Sequence, residues 1–264
     1  MKIAVVASGW HFPLHFYKTM AKQFVPPDWT MDLFVVAHRL PEHAEPEVKQ
    51  FLSTIKKRRD VRAILDRRFY KKVATVEEIQ KLGWNFSLEP NTIGDWGNAN
   101  QWLEKHDYKE YDIILFTHDD NLILNYQLIH NVVKGDEYDS WLILSNSTGM
   151  PPGMLRGSFE FFKREMLDRI GGKFDMSLVK LTREGVTSTN GDLAQLTDWN
   201  NTVTPLMDFI DKENLREKVG AMSPCYRVSM FCIEGERGFI SNTHGINTEQ
   251  EERGIATLQH HGII

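Results

Sequence analysis

The sequence predicts an α/β fold with a mostly parallel central sheet and helices on both faces. Two observations carry that expectation. Apolar runs of strand length alternate with amphipathic stretches of helix length, as they do where parallel strands are joined by crossover helices. One run, Ile113-Ile114-Leu115-Phe116, is apolar without alternation, as a strand buried on both faces must be.

The elements follow in order. Lys2 to Ala7 reads as the first strand and is followed by Ser8-Gly9. Leu14 to Phe24 reads as a helix that stops before Pro26-Pro27. Asp32 to Ala37 is a second strand. Glu45 to Lys57 is the next helix, with Val48, Phe51, Leu52 and Ile55 near one face. Trp84 to Leu88 makes a weaker strand. Gly94-Asp95-Trp96-Gly97 opens a helix running through Ala99, Trp102 and Leu103, and Tyr111 to Phe116 is the strongest strand signal. Trp141 to Leu144 is another strand, and Glu160 to Ile170 reads as an extended piece entering a helix closed by Gly171-Gly172. Val203 to Met207 reads as a helix and Tyr226 to Ile233 as a strand.

At 264 residues, 41% hydrophobic and 25% charged, the chain can bury a large core, which excludes disorder, collagen and coiled coil. No repeat, low-complexity segment or Pro/Gly/Ser-rich linker divides it. One domain over 1–264 is expected, with residues from about 236 to 264 a tail closing over the site. A formal charge of −5 argues against a nucleic-acid partner. The two cysteines, Cys225 and Cys232, read as ordinary thiols of a reducing compartment. The amino-terminal apolar run ends at Ser8, too short for a signal peptide, and no stretch is long enough to span a bilayer, so a cytoplasmic address is expected.

The sharpest local feature is the end of the apolar strand, Phe116-Thr117-His118-Asp119-Asp120-Asn121. Open α/β sheets place ligands outside the carboxyl ends of their strands, and adjacent acids there repel unless a cation or hydrogen bonds compensate. Oxygen ligands suit a hard divalent ion, Mg²⁺ or Mn²⁺, which would in turn hold a diphosphate. An acidic turn capping the next helix is the competing reading. The most basic stretch, Lys56-Lys57-Arg58-Arg59 followed by Arg62, Arg67, Arg68, Lys71 and Lys72, suits an anionic acceptor or peripheral contact with a membrane surface. A solvated face is its plainer explanation. Trp84, Trp96, Trp102 and Trp199 suit either sugar stacking or core packing.

Three segments in order resemble the GT-A fold of nucleotide-sugar glycosyltransferases, family 2 most of all, over roughly residues 1 to 235. Asn91-Thr92-Ile93-Gly94-Asp95-Trp96-Gly97-Asn98-Ala99-Asn100 is similar to that family's Asn-x-Gly and Gly-x-Ala-x-Asn stretch. His118-Asp119-Asp120 stands where the family has its DxD motif, with histidine in place of the first acid. Gly157 to Asp175, ending Gly171-Gly172-Lys173-Phe174-Asp175, is similar to the acceptor-side segment ending Gly-Gly-Phe-Asp.

The resemblance implies a metal-dependent transfer of a sugar from a nucleotide-sugar donor to a hydroxyl of a glycan or other acceptor, with inversion. It implies Asp120 as metal ligand, and Asp119 in contact with the donor ribose or with the metal through water. Asn91, Asp95, Asn100, Arg156 and Gly157 fall on the donor side. Asp198 is the expected general base, with Asp192 its rival, and His244 is an added metal ligand, a part that His260 or His261 could also play. The family's acid after the second strand is replaced by His38-Arg39, so base recognition must differ. Ser8 and Trp10 offer a hydroxyl and a stacking face there. Two other readings remain: a glycosyltransferase-like binding protein without turnover, and a nucleotidyltransferase. The second is disfavoured because Ala7-Ser8-Gly9-Trp10 lacks a glycine-rich phosphate loop.

Overall fold

The computed structural model describes residues 1–59, 61–90, 94–123, 126–135, 139–145, 156–175, 181–187, 193–197, 206, 209–221 and 232–234. Within them the chain builds a seven-stranded sheet. Its strands are β1 (Lys2–Gly9), β2 (Thr30–Ala37), β3 (Trp84–Leu88), β4 (Ile113–His118), β6 (Leu142–Ser145), β7 (Arg156–Lys163) and β10 (Val219–Ala221), in the order β10-β6-β7-β4-β1-β2-β3. Only β7 runs against its neighbours β4 and β6; the other pairings are parallel. The expected mostly parallel sheet is the one observed.

Alternation along β1 explains why both faces are covered. Ile3, Val5 and Ala7 belong to one buried cluster, with α1 (Leu14–Ala21), α2 (Pro41–Thr54), α3 (Val61–Phe69), α4 (Val76–Lys81) and α6 (Leu128–Lys134) contributing Phe16, Val48, Phe69, Ile79 and Ile129. Ala4 and Val6 belong to the other, with α5 (Gly94–Lys105) and α7 (Arg164–Arg169) contributing Trp102, Met166 and Leu167. With period-two side chains, the unbroken apolar run from Ile3 to Ala7 places apolar groups on both faces, and both are buried.

Boundaries differ from the sequence expectation where tertiary partners intervene. The first helix stops at Ala21 because the following residues are used elsewhere: the Gln23 side chain accepts from Ile129 N–H at 3.2 Å, and Phe24 N–H donates to the Tyr126 carbonyl at 2.6 Å. The second helix begins at Pro41, whose missing N–H costs nothing at a first helical position, and it accommodates Pro46 inside. β4 continues to His118 because Thr117 pairs with Phe159 and His118 with Ser8. α4 starts at a capping box, Thr75–Glu78, where each residue's side chain accepts from the other's backbone N–H.

Two smaller sheets accompany the large one. β8 (Leu181–Thr187) pairs with β9 (Leu193–Thr197), and β5 (Asn121–Ile123) pairs antiparallel with β11 (Cys232–Glu234). Of the helix expected over 203–207 only Leu206 is described, and of the strand over 226–233 only its end. The tail from 236 onward lies outside the described residues. Among the described residues no helix is long and apolar enough to cross a membrane.

Candidate active site

The strand order reverses between β1 and β4: the chain winds outward from β1 through β2 to β3, then returns to the opposite side of β1. At such a switch point the loops leaving the carboxyl ends diverge and open a crevice. The register brings these ends level, with Ser8 opposite both Val36 and His118. The crevice is therefore bounded by Trp10-His11-Phe12 after β1, His38-Arg39 after β2 and Asp119-Asp120 after β4.

Asp119 turns its carboxylate to the loop after β1. Its carboxylate is 1% exposed and accepts from the N–H groups of Trp10 (3.0 Å), His11 (3.1 Å) and Phe12 (2.7 Å), and from the Tyr17 hydroxyl (3.0 Å). Three successive amides wrapped around one anion make a backbone nest. Burial pushes the Asp119 pKa up, and these four donors oppose the rise; burial and the adjacent carboxylate hold the Tyr17 hydroxyl well above its ordinary range. Phe12, held by the shortest of the bonds, has φ of 52°, a left-handed conformation that a bulky residue adopts only when its surroundings enforce it. Gly9 leaves room for this turn, since a Cβ there would lie 2.8 Å from both Phe12 Cε1 and Val35 Cγ1. Asp119 thereby fastens the β1–α1 loop to the end of β4.

Asp120 and His118 stand at the same strand end. Asp120 is 4% exposed, and its Oδ1 lies 3.8 Å from His118 Nδ1, too far for a hydrogen bond. Asn121 fixes the turn beneath them, its Nδ2 donating to Thr117 Oγ1 at 3.1 Å and to the His118 carbonyl at 3.2 Å. Carboxylate oxygen and imidazole nitrogen both suit a Mn²⁺-like ion. Among the described residues no third histidine, cysteine or acid completes such a cluster.

From the sequence, Arg39 stands out only as the absence of an acid. The structure buries it, with 1% exposed. Its guanidinium lies over the Trp10 ring at 4.1 Å, Nε donates to the Trp10 carbonyl at 2.7 Å and Nη1 to Glu47 Oε2 at 2.7 Å. Nη2 has no hydrogen-bond partner among the described residues. A buried cation with a spare donor at the mouth of a crevice suits an anionic or acceptor-rich ligand. Beside it His11 is held neutral, its pKa pushed down to about 3 by burial and then by the charges of Arg39 and His118. His38 bridges Asn98 Oδ1 through Nε2 and the Glu89 carbonyl through Nδ1. No pattern in the sequence distinguishes a buried Arg39 from a solvated one.

The other expected site residues divide. Asn100 is a clasp: its Nδ2 donates to the Phe174 carbonyl at 2.9 Å and its Oδ1 accepts from Phe174 N–H at 2.8 Å. Both ends of this one amide tie α5 to the backbone of Phe174. Ser8 sits half-buried at the end of β1, and its carbonyl accepts from Asp119 N–H at 3.1 Å. Asp95 lies in the first turn of α5, and Arg156 and Gly157 open β7, with Arg156 opposite Ser145. Asn91, Asp192, Asp198, His244, His260 and His261 lie outside the described residues.

No family model matches this chain, and no curated protein matches it. Among solved structures it is similar to residues 1–349 of S. aureus TarS in complex with UDP, at 17% identity over 67% of this chain and 51% of that one, with a TM-score of 0.42. The likeness is one of backbone arrangement. A mannosyltransferase from Pyrobaculum calidifontis in complex with GDP-Man and Mn²⁺ is 14% identical over 98% of this chain and 74% of that one, with a TM-score of 0.43. The glycosyltransferase GlyE of Streptococcus pneumoniae TIGR4 is 8% identical over 85% and 46%, with a TM-score of 0.42. The chain spans about half the length of the TarS structure. Identities and scores this low assign neither donor nor acceptor.

Proposed function

We propose that this chain is a GT-A-type, metal-dependent glycosyltransferase that moves a sugar from a nucleotide-sugar donor to an acceptor hydroxyl with inversion. The observation that supports it is the His118–Asp120 pair at the carboxyl end of β4, set at the switch point between β4 and β1. Asp120 is the metal ligand, joined by His118 and by His244. Mn²⁺ or Mg²⁺ bound there would neutralise charge on the departing nucleoside diphosphate.

The chain's own groups supply the rest. Trp10 and Arg39 take the place of the missing acid after β2, the ring and the guanidinium stacked on it forming one wall. Ser8, Asn91, Asp95, Arg156 and Gly157 complete the donor side. Asp119 is a positioning residue that sets the β1–α1 loop. Asp198 takes the proton of the acceptor hydroxyl as its oxygen bonds to the anomeric carbon and the bond to the nucleoside diphosphate breaks. A cytoplasmic setting goes with this reading.

Thermal unfolding tests it. A nucleoside diphosphate at about 100 times its dissociation constant should stabilise the protein by about 2.7 kcal/mol. The expected result is stabilisation by one nucleotide only with Mn²⁺, lost in Asp120→Ala. Absence of any metal-dependent shift across a panel of nucleoside diphosphates would sink the reading and favour a binding protein without turnover.

A further inference from the structure

We infer that the corner between α2 and α3 docks a polyanion, and hence, resting on the transferase reading above, that the acceptor is a chain carrying repeated phosphate or carboxylate groups. Residues 56–72 hold nine basic and two acidic residues, a local charge of +7 in a chain whose total is −5. The fold turns this run into a surface. Ile55, Phe69 and Tyr70 are buried, the Tyr70 ring packing on Phe51 at 5.8 Å and His11 at 6.0 Å, while Lys56, Lys57, Arg58, Arg59, Arg68 and Lys71 are exposed. One of the two acids, Asp66, is itself buried, so its carboxylate does not stand among these cations at the surface.

The corner is held in place, and most of its described cations are left unneutralised. Arg67 Nη1 donates to the carbonyls of Ile55 (2.8 Å) and Arg58 (2.9 Å), pinning the turn that displays its neighbours. Lys72 pairs with Glu78, but among the described residues Lys56, Lys57, Arg59, Arg68 and Lys71 have no carboxylate within ion-pair distance. Lysines on other helices do, as with Lys49–Glu45 and Lys81–Glu77. An array of spaced, uncompensated cations on a fixed backbone attracts a ligand with spaced anions by releasing the counterions of both.

Position links this surface to the crevice. Leu14 N–H donates to the Lys72 carbonyl at 2.9 Å, Ala74 N–H donates to the Phe12 carbonyl at 2.7 Å, and Pro13 bridges Val73. The basic segment is therefore stitched to the loop that Asp119 holds at the end of β1. A polyanion lying on the corner has one end beside the crevice. A lipid bilayer fits less well: among the described residues the exposed large apolar side chains are Met1, Phe24, Leu88 and Tyr126, none of them in this segment, and adhesion to membranes draws on apolar insertion as well as charge.

Calorimetric titration with linear sodium polyphosphate tests the docking surface, using the full chain and the combined variant Lys56→Gln, Lys57→Gln, Arg59→Gln, Arg68→Gln, which spares Arg67. Binding is expected to weaken by about tenfold or more between roughly 50 and 200 mM salt, and by about tenfold in the variant at fixed salt. The variant's melting temperature and its nucleotide response with Mn²⁺ should be unchanged. No binding of polyphosphate, equal binding by the variant, or tighter adsorption to phosphatidylglycerol-containing vesicles than to polyphosphate would each overturn the docking surface. If binding depends on these four cations while no nucleoside diphosphate stabilises the protein, the docking surface stands and the assignment of the acceptor falls with the transferase reading.

Discussion

Replacing Asp119 by asparagine keeps the shape of the side chain and removes its charge, so it isolates what the carboxylate does. Four donors converge on that group, three of them consecutive backbone N–H groups of Trp10, His11 and Phe12 and the fourth the Tyr17 hydroxyl. A hydrogen bond to a charged acceptor contributes about 1.5–3 kcal/mol, and a buried donor left without an acceptor costs about 1–3 kcal/mol. All four reach Oδ2, where an amide oxygen is a neutral and weaker acceptor, and His11 N–H also faces Oδ1 at 3.2 Å, where the amide would present its NH₂. Because burial of the anion itself is costly, the net loss is well below the sum of the bonds, and about 3 kcal/mol is expected. For a chain of this size that corresponds to a fall in Tm of about 6–12 °C. Urea unfolding followed by far-ultraviolet circular dichroism measures it directly. An Asp119→Asn protein within about 0.5 kcal/mol of the parent would refute the loop-fastening role, since surface changes away from specific features have effects of that size.

Asp120→Asn should remove the Mn²⁺-dependent nucleotide shift, as melts with and without metal would reveal. His11 has a folded-state pKa near 3 against an ordinary 6.5, so the unfolded chain binds its proton first and the native state loses stability as pH falls from about 6.5 toward 3. The slope attributable to it is about 1.4 kcal/mol per pH unit, and His11→Asn should flatten the stability–pH curve in that window; an unchanged curve would show that this imidazole is not kept neutral. Asn100→Ala should cost about 1–3 kcal/mol by unpairing both backbone groups of buried Phe174, read as a lowered urea midpoint with unchanged slope. Gly9→Ala should cost about 1–3 kcal/mol, because its new methyl meets Phe12 and Val35 at 2.8 Å, and a protein as stable as the parent would mean the loop yields freely.

The sheet is legible in the sequence because its signal is periodic and strong. β1, β2, β3 and β4 are short runs in which apolar side chains dominate, and the strand expected over Trp84–Leu88 has those limits in the structure. Helix ends are less so: Ala21 ends α1 because Gln23 and Phe24 are held by residues a hundred positions away, which no local rule contains. The candidate site is legible as a place and not as a division of labour. Two neighbouring carboxylates after a buried strand point to the crevice, but which of them faces it depends on where Trp10, His11 and Phe12 send their N–H groups. Asn100 shows the same limit, since its residue type suits a ligand as well as it suits the backbone of Phe174. Arg39 shows the converse, because burial over Trp10 is set by two strand ends that meet only in the folded chain.

The nest around Asp119 changes what the presence of that acid can signify. A chain of this architecture that had ceased to turn over substrate would still need an anion at position 119 to keep Phe12 in its left-handed turn and the β1–α1 loop on β4. Folding alone would retain it. The loop's hold on position 119 means that a diagnosis of activity cannot be drawn from Asp119.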